Sequence, residues 1–132
     1  MIDLKPAVGS ERDRAEQLLI SAKLPTDILS NERGELWIAR IGDATAVGGF
    51  EFFGEDALLR SVAVDAAHRG TGIGGKLTDA LLAIAKERGV RRVWLLTETA
   101  EPFFRRKGFA RMDRAVITNA DLLNSSEFTH VC

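Results

Sequence analysis

Leu58-Leu59-Arg60-Ser61-Val62-Ala63-Val64 is followed, four residues later, by Arg69-Gly70-Thr71-Gly72-Ile73-Gly74-Gly75, and then by a stretch that runs on to Arg88. The first run is an apolar strand with one charge inside it. In the last stretch Ile73, Leu77, Ala80, Leu81, Ile84 and Ala85 fall on one helical stripe, with Lys76, Asp79, Lys86 and Glu87 on the other side. A strand, a glycine loop and a helix in that order leave uncovered backbone N–H groups at the helix mouth, where the dipole favours an anion. The expected ligand is a phosphate.

Working outward, the three runs Glu35–Ile41, Ala44–Phe53 and Ala57–Val64 alternate with the turn pairs Gly42-Asp43 and Gly54-Glu55-Asp56, which predicts an antiparallel meander. Gly48-Gly49 within its middle strand leaves room for a bulge or a close backbone approach. Upstream, Ile2 to Pro6 reads as a strand and residues 11–22 as a helix with Ser10 as cap. Residues 24–34 read as a connector with a short turn at Asp27 to Leu29, either mobile or lining a substrate. Downstream, Val90 to Leu96 reads as a strand parallel to Ala57–Val64, because a helix joins the two. Thr99 caps a helix over Ala100 to Lys107. Phe109 to Ile117 reads as a final strand, and Thr118 or Asn119 caps a short helix through Leu123. The expected fold class is α/β (α+β): a mixed, mostly antiparallel sheet with helices on both faces.

The chain has 132 residues, 45% of them hydrophobic and 28% charged, with a formal net charge of −1. That size and balance predict one domain over residues 1–132, and no basic field to draw nucleic acid. Cys132 is the single cysteine, and His68 and His130 are the two histidines, too few for a zinc site or a disulfide framework; no metal is expected. No apolar run reaches the roughly 18 residues of a membrane span, so neither a membrane partner nor a location other than the cytoplasm is expected.

The loop satisfies more than one phosphate fingerprint. Gly70, Gly72 and Gly75 fit the dinucleotide pattern G-x-G-x-x-G, and Glu98 stands where a ribose ligand would be, but a meander precedes the loop and the chain is short for a doubly wound sheet. Gly70, Gly75 and Lys76 approach the P-loop pattern, yet Leu77 occupies the place of the magnesium-binding hydroxyl. A longer match decides. Arg69, Gly72 and Gly74 resemble the [RQ]-x-x-G-x-[GA] loop of the GNAT acetyltransferases, Val62-Ala63-Val64 precedes it at the strand position used there, and Ala100 to Phe109 resembles that family's second signature, ending in Gly108-Phe109.

That resemblance implies a chain that takes acetyl-CoA and transfers its acetyl group to an amine. It implies that residues 69–75 (Arg69, Gly70, Thr71, Gly72, Ile73, Gly74, Gly75) hold the pyrophosphate, and that Val62, Ala63 and Val64 pair with the pantetheine as an added strand does. Phe103 and Phe104 would pack near the pantetheine tail, in a slot opened by a splay between the strands near Leu95 to Thr97. Many family members carry a tyrosine four residues before the Gly-Phe pair as the acid. Here that position is Phe104, and the chain has no tyrosine. The proton for the leaving thiolate must come from water or from another hydroxyl, with Ser61, Thr97 and Thr99 as candidates. Glu51 is the first candidate for the base and Glu98 the second. Arg60, with Ser61 and Thr97, would contact the acceptor, or Arg60 pairs with Glu51 as a buried strut.

Within the family, the runs Ala57–Val64 and Leu95–Ala100 and the tail Ser126-Glu127-Phe128 resemble the arsenic-resistance branch. Such likeness implies a small amine acceptor, an amino-acid-like arsenical or phosphinothricin-type compound, and a homodimer is compatible with it. Two other readings stay open at this point: a protein or peptide N-acetyltransferase, and a catalytically silent acetyl-CoA-binding module.

Overall fold

The computed structural model describes residues 2–97 and 100–125. Five strands, β1 (Asp3–Pro6), β2 (Gly34–Ile41), β3 (Ala44–Phe53), β4 (Asp56–Val64) and β5 (Arg92–Trp94), lie in the order β1-β2-β3-β4-β5. The first four pair antiparallel and β5 joins β4 in parallel. Helix α1 (Ser10–Ser21) covers one face and α2 (Ile73–Glu87) the other, followed by α3 (Glu101–Arg106) and α4 (Ala120–Leu123).

Period-two alternation in β2 feeds both faces. Leu36 and Ile38 join Leu18, Leu19 and Val47 under α1, whereas Trp37 and Ala39 join Phe50, Leu59, Leu77 and Leu81 under α2. A third cluster, Phe53, Leu58, Ile117 and Leu122, seats α4 beside the start of β4. Arg88, just past α2, is tied to Glu35 at 2.5 Å and lies over the rings of Trp37 and Phe52, which fixes the end of the helix on the sheet.

Asp56 joins the parallel pair. Its carboxylate accepts from Arg92 Nε at 2.7 Å, Trp94 Nε1 at 2.8 Å and Asn119 Nδ2 at 3.1 Å, so β4, β5 and the α4 cap meet on one group. Burial pushes this carboxyl up, but the hydrogen bonds from Arg92, Trp94 and Asn119 outweigh it and the net displacement is below the usual carboxylate range. A depressed folded value stabilises the fold above the unfolded pKa of about 4, and that contribution is lost as pH falls through the folded value. Asp56→Asn is expected to cost about 1–3 kcal/mol at neutral pH. Urea midpoints of the two proteins should converge as pH falls below about 4; a gap that persists unchanged there would rule out the charge as its source.

Several local expectations are corrected. Gly9 at φ 60° is the N-cap of α1 and Ser10 its first residue, and no side chain caps it. Strand β5 is three residues long rather than Val90 to Leu96. Among the described residues no strand follows Trp94: in the expected final strand, Asp113 turns the chain by accepting Ala115 N–H on Oδ1 and Val116 N–H on its carbonyl, which makes a 3₁₀ turn at Arg114–Val116. Asn119 does cap α4, accepting from Leu122 N–H at 3.1 Å. Thr99 lies outside the described residues, and α3 begins after Ala100, whose N–H donates to Thr97 Oγ1 at 3.0 Å.

Candidate active site

Pairing of β4 with β5 stops at Leu58↔Trp94, so among the described residues the edge of β4 from Leu59 to Val64 on that side faces no neighbouring strand. This is the expected splay, and a bulge sits beside it. The register passes from Val47↔Ala63 to Gly49↔Arg60, so two β4 residues, Ser61 and Val62, oppose Gly48 alone. The extra residue is in β4, not at the glycine pair. Ser61 occupies it at φ 62°, a left-handed conformation that L residues other than Asn and Asp seldom take. Its hydroxyl is buried and has no hydrogen-bond partner among the described residues.

Beyond the open edge lies a cavity of about 830 Å³. Val62, Ala63 and Val64 line it together with Arg69, Gly70, Gly72, Ile73, Gly74 and Gly75 at the N-terminus of α2, whose N-cap is Gly72 at φ 85°. Phe103, Arg106 and Lys107 also line it. A Cβ on Gly70 or Gly72 would meet nothing within 4 Å, so positive φ, and not crowding, selects glycine there. The first N–H groups of α2 have no side-chain cap, which is the donor set a phosphate group needs. The residues present therefore fit a pyrophosphate-bearing ligand.

Two residues expected at this cavity stand apart from it. Thr71 turns its hydroxyl back onto the His68 carbonyl at 2.5 Å and thereby holds the loop. Phe104 packs edge-on between Phe103 and Phe109, at 5.0 and 5.7 Å, and lines a second cavity of about 650 Å³ under β5. Thr97 lines that second cavity too. Arg106 and Lys107 went unread in the sequence, although the run Arg105-Arg106-Lys107 immediately before Gly108 announces them.

On the α1 face the acceptor candidate Arg60 and the base candidate Glu51 are joined in one network. Arg60, whose side chain is 2% exposed, donates from Nη1 to Glu51 Oε1 at 2.5 Å and from Nη2 to Asp27 Oδ1 at 2.7 Å. Glu51, also 2% exposed, takes a second hydrogen bond from Asn31 Nδ2 at 3.1 Å. Both Glu51 oxygens are thus engaged, and Arg60 and Glu51 form a buried ion pair. Asp27 is 44% exposed and sits on the 3₁₀ turn Asp27–Ser30. The connector of residues 24–34 is therefore pinned over β3 and β4 by Asp27 and Asn31, with Ile28 buried between them. Glu98 lies outside the described residues, as do residues 126–132. Among the described residues there is no group of three or more acidic, His or Cys side chains suited to a metal ion, and no helix long and apolar enough to cross a membrane.

Comparison with known proteins agrees with this geometry. The sequence profile described as an acetyltransferase (GNAT) domain matches residues 32–111, a span that contains the meander, the bulge, the glycine loop and α3. An amino-acid acetyltransferase of Mycobacterium tuberculosis is 35% identical over 89 residues, 64% of this chain; the match spans 51% of that relative, about half its length. A Mycobacterium tuberculosis protein solved in complex with CoA and NLQ superposes with a TM-score of 0.74 at 26% identity, covering 92% of this chain and 79% of the other. A GNAT-family acetyltransferase of Staphylococcus aureus shares the fold at 20% identity, with a TM-score of 0.70 over 89% of each chain. With the profile laid over more than half of the residues, and over the very elements that build the splay and its phosphate cradle, the chain belongs to the GNAT acetyltransferase family.

Proposed function

We propose that this chain is an acetyl-CoA-dependent N-acetyltransferase whose acceptor is a small amine of amino-acid type. The observation that carries the reading is the placement of the glycine loop and the α2 N-terminus beside an unpaired edge of β4, within one cavity. That arrangement binds an extended chain by strand-like hydrogen bonds and its phosphates by N–H groups. The amino-acid acceptor is supported by the relative named for that activity and by the resemblance of Ala57–Val64 to the arsenic-resistance branch. Amino-acid-like arsenicals and phosphinothricin-type compounds belong to the same chemical class.

When bound, acetyl-CoA supplies the acyl group as a thioester. The chain's own residues must orient it, admit a neutral amine and provide a proton as the C–S bond breaks and the C–N bond forms. With Phe104 in place of the usual tyrosine and Thr97 lining the separate cavity under β5, we assign Ser61, which directly precedes the cavity-lining Val62, to hold that proton. Its unpartnered Oγ supports the role, and strain at a left-handed residue is commonly kept where function needs it. Glu51 acts as a positioning residue for Arg60, which with Ser61 marks where an acceptor's acidic group would sit.

The test is turnover of acetyl-CoA by the full chain against a panel of L-amino acids, phosphinothricin and an amino-acid arsenical, read as free thiol. At least one member should release thiol above the amine-free rate; none doing so, with acetyl-CoA bound, would point instead to a silent binding module. On the active substrate, Ser61→Ala and Ser61→Gly should each lower kcat about tenfold or more with little change in KM for acetyl-CoA. Ser61→Gly should also match or exceed wild-type stability, since glycine relieves the left-handed strain. Full activity in both variants would remove Ser61 from the chemistry.

A further inference from the structure

We propose that Arg106 is the residue by which the cavity reads the 3′-phosphate of coenzyme A, so that the site distinguishes the full cofactor from its dephosphorylated form. The inference rests on the coenzyme A reading above and adds the source of its nucleotide selectivity. Four cationic or potentially cationic side chains line the cavity: His68 and Arg69 from the loop side, Arg106 and Lys107 from α3 and its end.

Two of the four are already compensated. Lys107 Nζ lies 3.0 and 3.1 Å from the two Asp79 oxygens. His68 Nδ1 lies 2.6 Å from Asp65, whose carboxyl is held below its ordinary value by the Thr45 N–H and by the His68 ring, and which therefore stays anionic beside it. The other two are uncompensated. Arg69 uses Nε to reach the Val64 carbonyl at 3.3 Å, and neither Arg69 nor Arg106 has a carboxylate partner among the described residues. Both side chains are exposed at the cavity.

The two guanidinium groups come from separate elements, the loop after β4 and the last turn of α3. A ligand that carries anionic groups at two places can satisfy both. Coenzyme A does, with a diphosphate in its chain and a monophosphate on its ribose. The diphosphate is matched by the α2 N-terminal N–H groups and Arg69, which leaves Arg106 for the separate monophosphate, where a guanidinium makes charge-assisted, bidentate contacts. Phe103, three residues before Arg106 on the same short helix, lines the same cavity and gives the helix an apolar face toward it.

Titration calorimetry on the full chain with CoA and with 3′-dephospho-CoA tests this. Wild type is expected to bind CoA about tenfold or more tightly than dephospho-CoA. Arg106→Gln should lose about tenfold in affinity for CoA and nothing for dephospho-CoA, so the preference disappears. Arg69→Gln should weaken both ligands in the same proportion. Because Arg106 is exposed and has no carboxylate partner among the described residues, its variant should melt at the wild-type temperature. Equal weakening of both ligands by Arg106→Gln, or no weakening of either, overturns the assignment. A wild-type chain that binds neither ligand overturns the coenzyme A reading itself, an outcome distinct from the first.

Discussion

Arg60→Met is expected to lower folding stability by about 3–5 kcal/mol, because it leaves a carboxylate in the core with no cation beside it. Methionine retains the aliphatic stem, so packing is largely kept and the charge is what is removed. Glu51 is 2% exposed and loses its 2.5 Å partner, keeping among the described residues the 3.1 Å hydrogen bond from Asn31. Asp27 is 44% exposed and can turn to water, so its share of the loss is small. The double variant Arg60→Met, Glu51→Leu should recover most of the stability, since replacing both members of a buried pair with apolar groups is often neutral or better. Urea unfolding at a common m-value measures both. A single variant costing under about 1 kcal/mol would show that the pair is solvated in practice, and the strut assignment would fall. The rescued double variant also separates scaffold from chemistry: if Arg60 marks the acceptor's acidic group, stability returns and acceptor KM does not.

Gly49→Ala should cost about 3 kcal/mol or more, well above Gly48→Ala at about 1 kcal/mol, although the two glycines are neighbours in one strand. A Cβ at Gly49 would stand inside van der Waals distance of the Glu35 carbonyl, 2.9 Å from Ile28 Cδ1 and 3.1 Å from Leu36 Cα. Two of those atoms are backbone of β2, which cannot retreat without breaking the β2–β3 ladder, and Ile28 is itself buried under the pinned connector. At Gly48 the nearest obstacle is Leu81 Cδ1 at 2.6 Å, the far end of a side chain that can change rotamer. Thermal or urea unfolding of the two variants side by side is sufficient; equal costs would mean that the connector over Gly49 yields, and that the acceptor side is softer than its hydrogen bonds indicate.

Much of the site was legible along the chain. Residues 69–75 and the apolar stripe from Ile73 to Ala85 are local signals: glycine for positive φ, small residues for exposed N–H groups, a 3.6-residue period for a buried helix face. The meander was equally local, fixed by alternation and by turns at Gly42 and Gly54. What could not be read were the outcomes of competition between distant groups. Gly48-Gly49 announced an irregularity, but which strand would take the extra residue depends on β3 and β4 together, and it fell to Ser61. The polar residues 24–34 carried no sign of being pinned, because Arg60, Gly49 and Glu51, which hold them, are 15 or more residues further along. The expected strand from Phe109 to Ile117 failed for the opposite reason: a short-range side-chain hydrogen bond at Asp113 overrode a favourable apolar pattern.

By itself, then, the sequence determined the order of elements through α3 and the phosphate-seeking loop, because each rests on residues close together along the chain, and the resemblance carried by residues 69–74 and 100–109 turned that phosphate into coenzyme A. Tertiary structure alone decided which charges are spent and which are available. Lys107 is neutralised by Asp79 and Arg60 by Glu51 and Asp27, while Arg69 and Arg106 face a shared cavity without a carboxylate among the described residues. Charge compensation is a matter of a few ångströms in space, and separation along the chain does not report it.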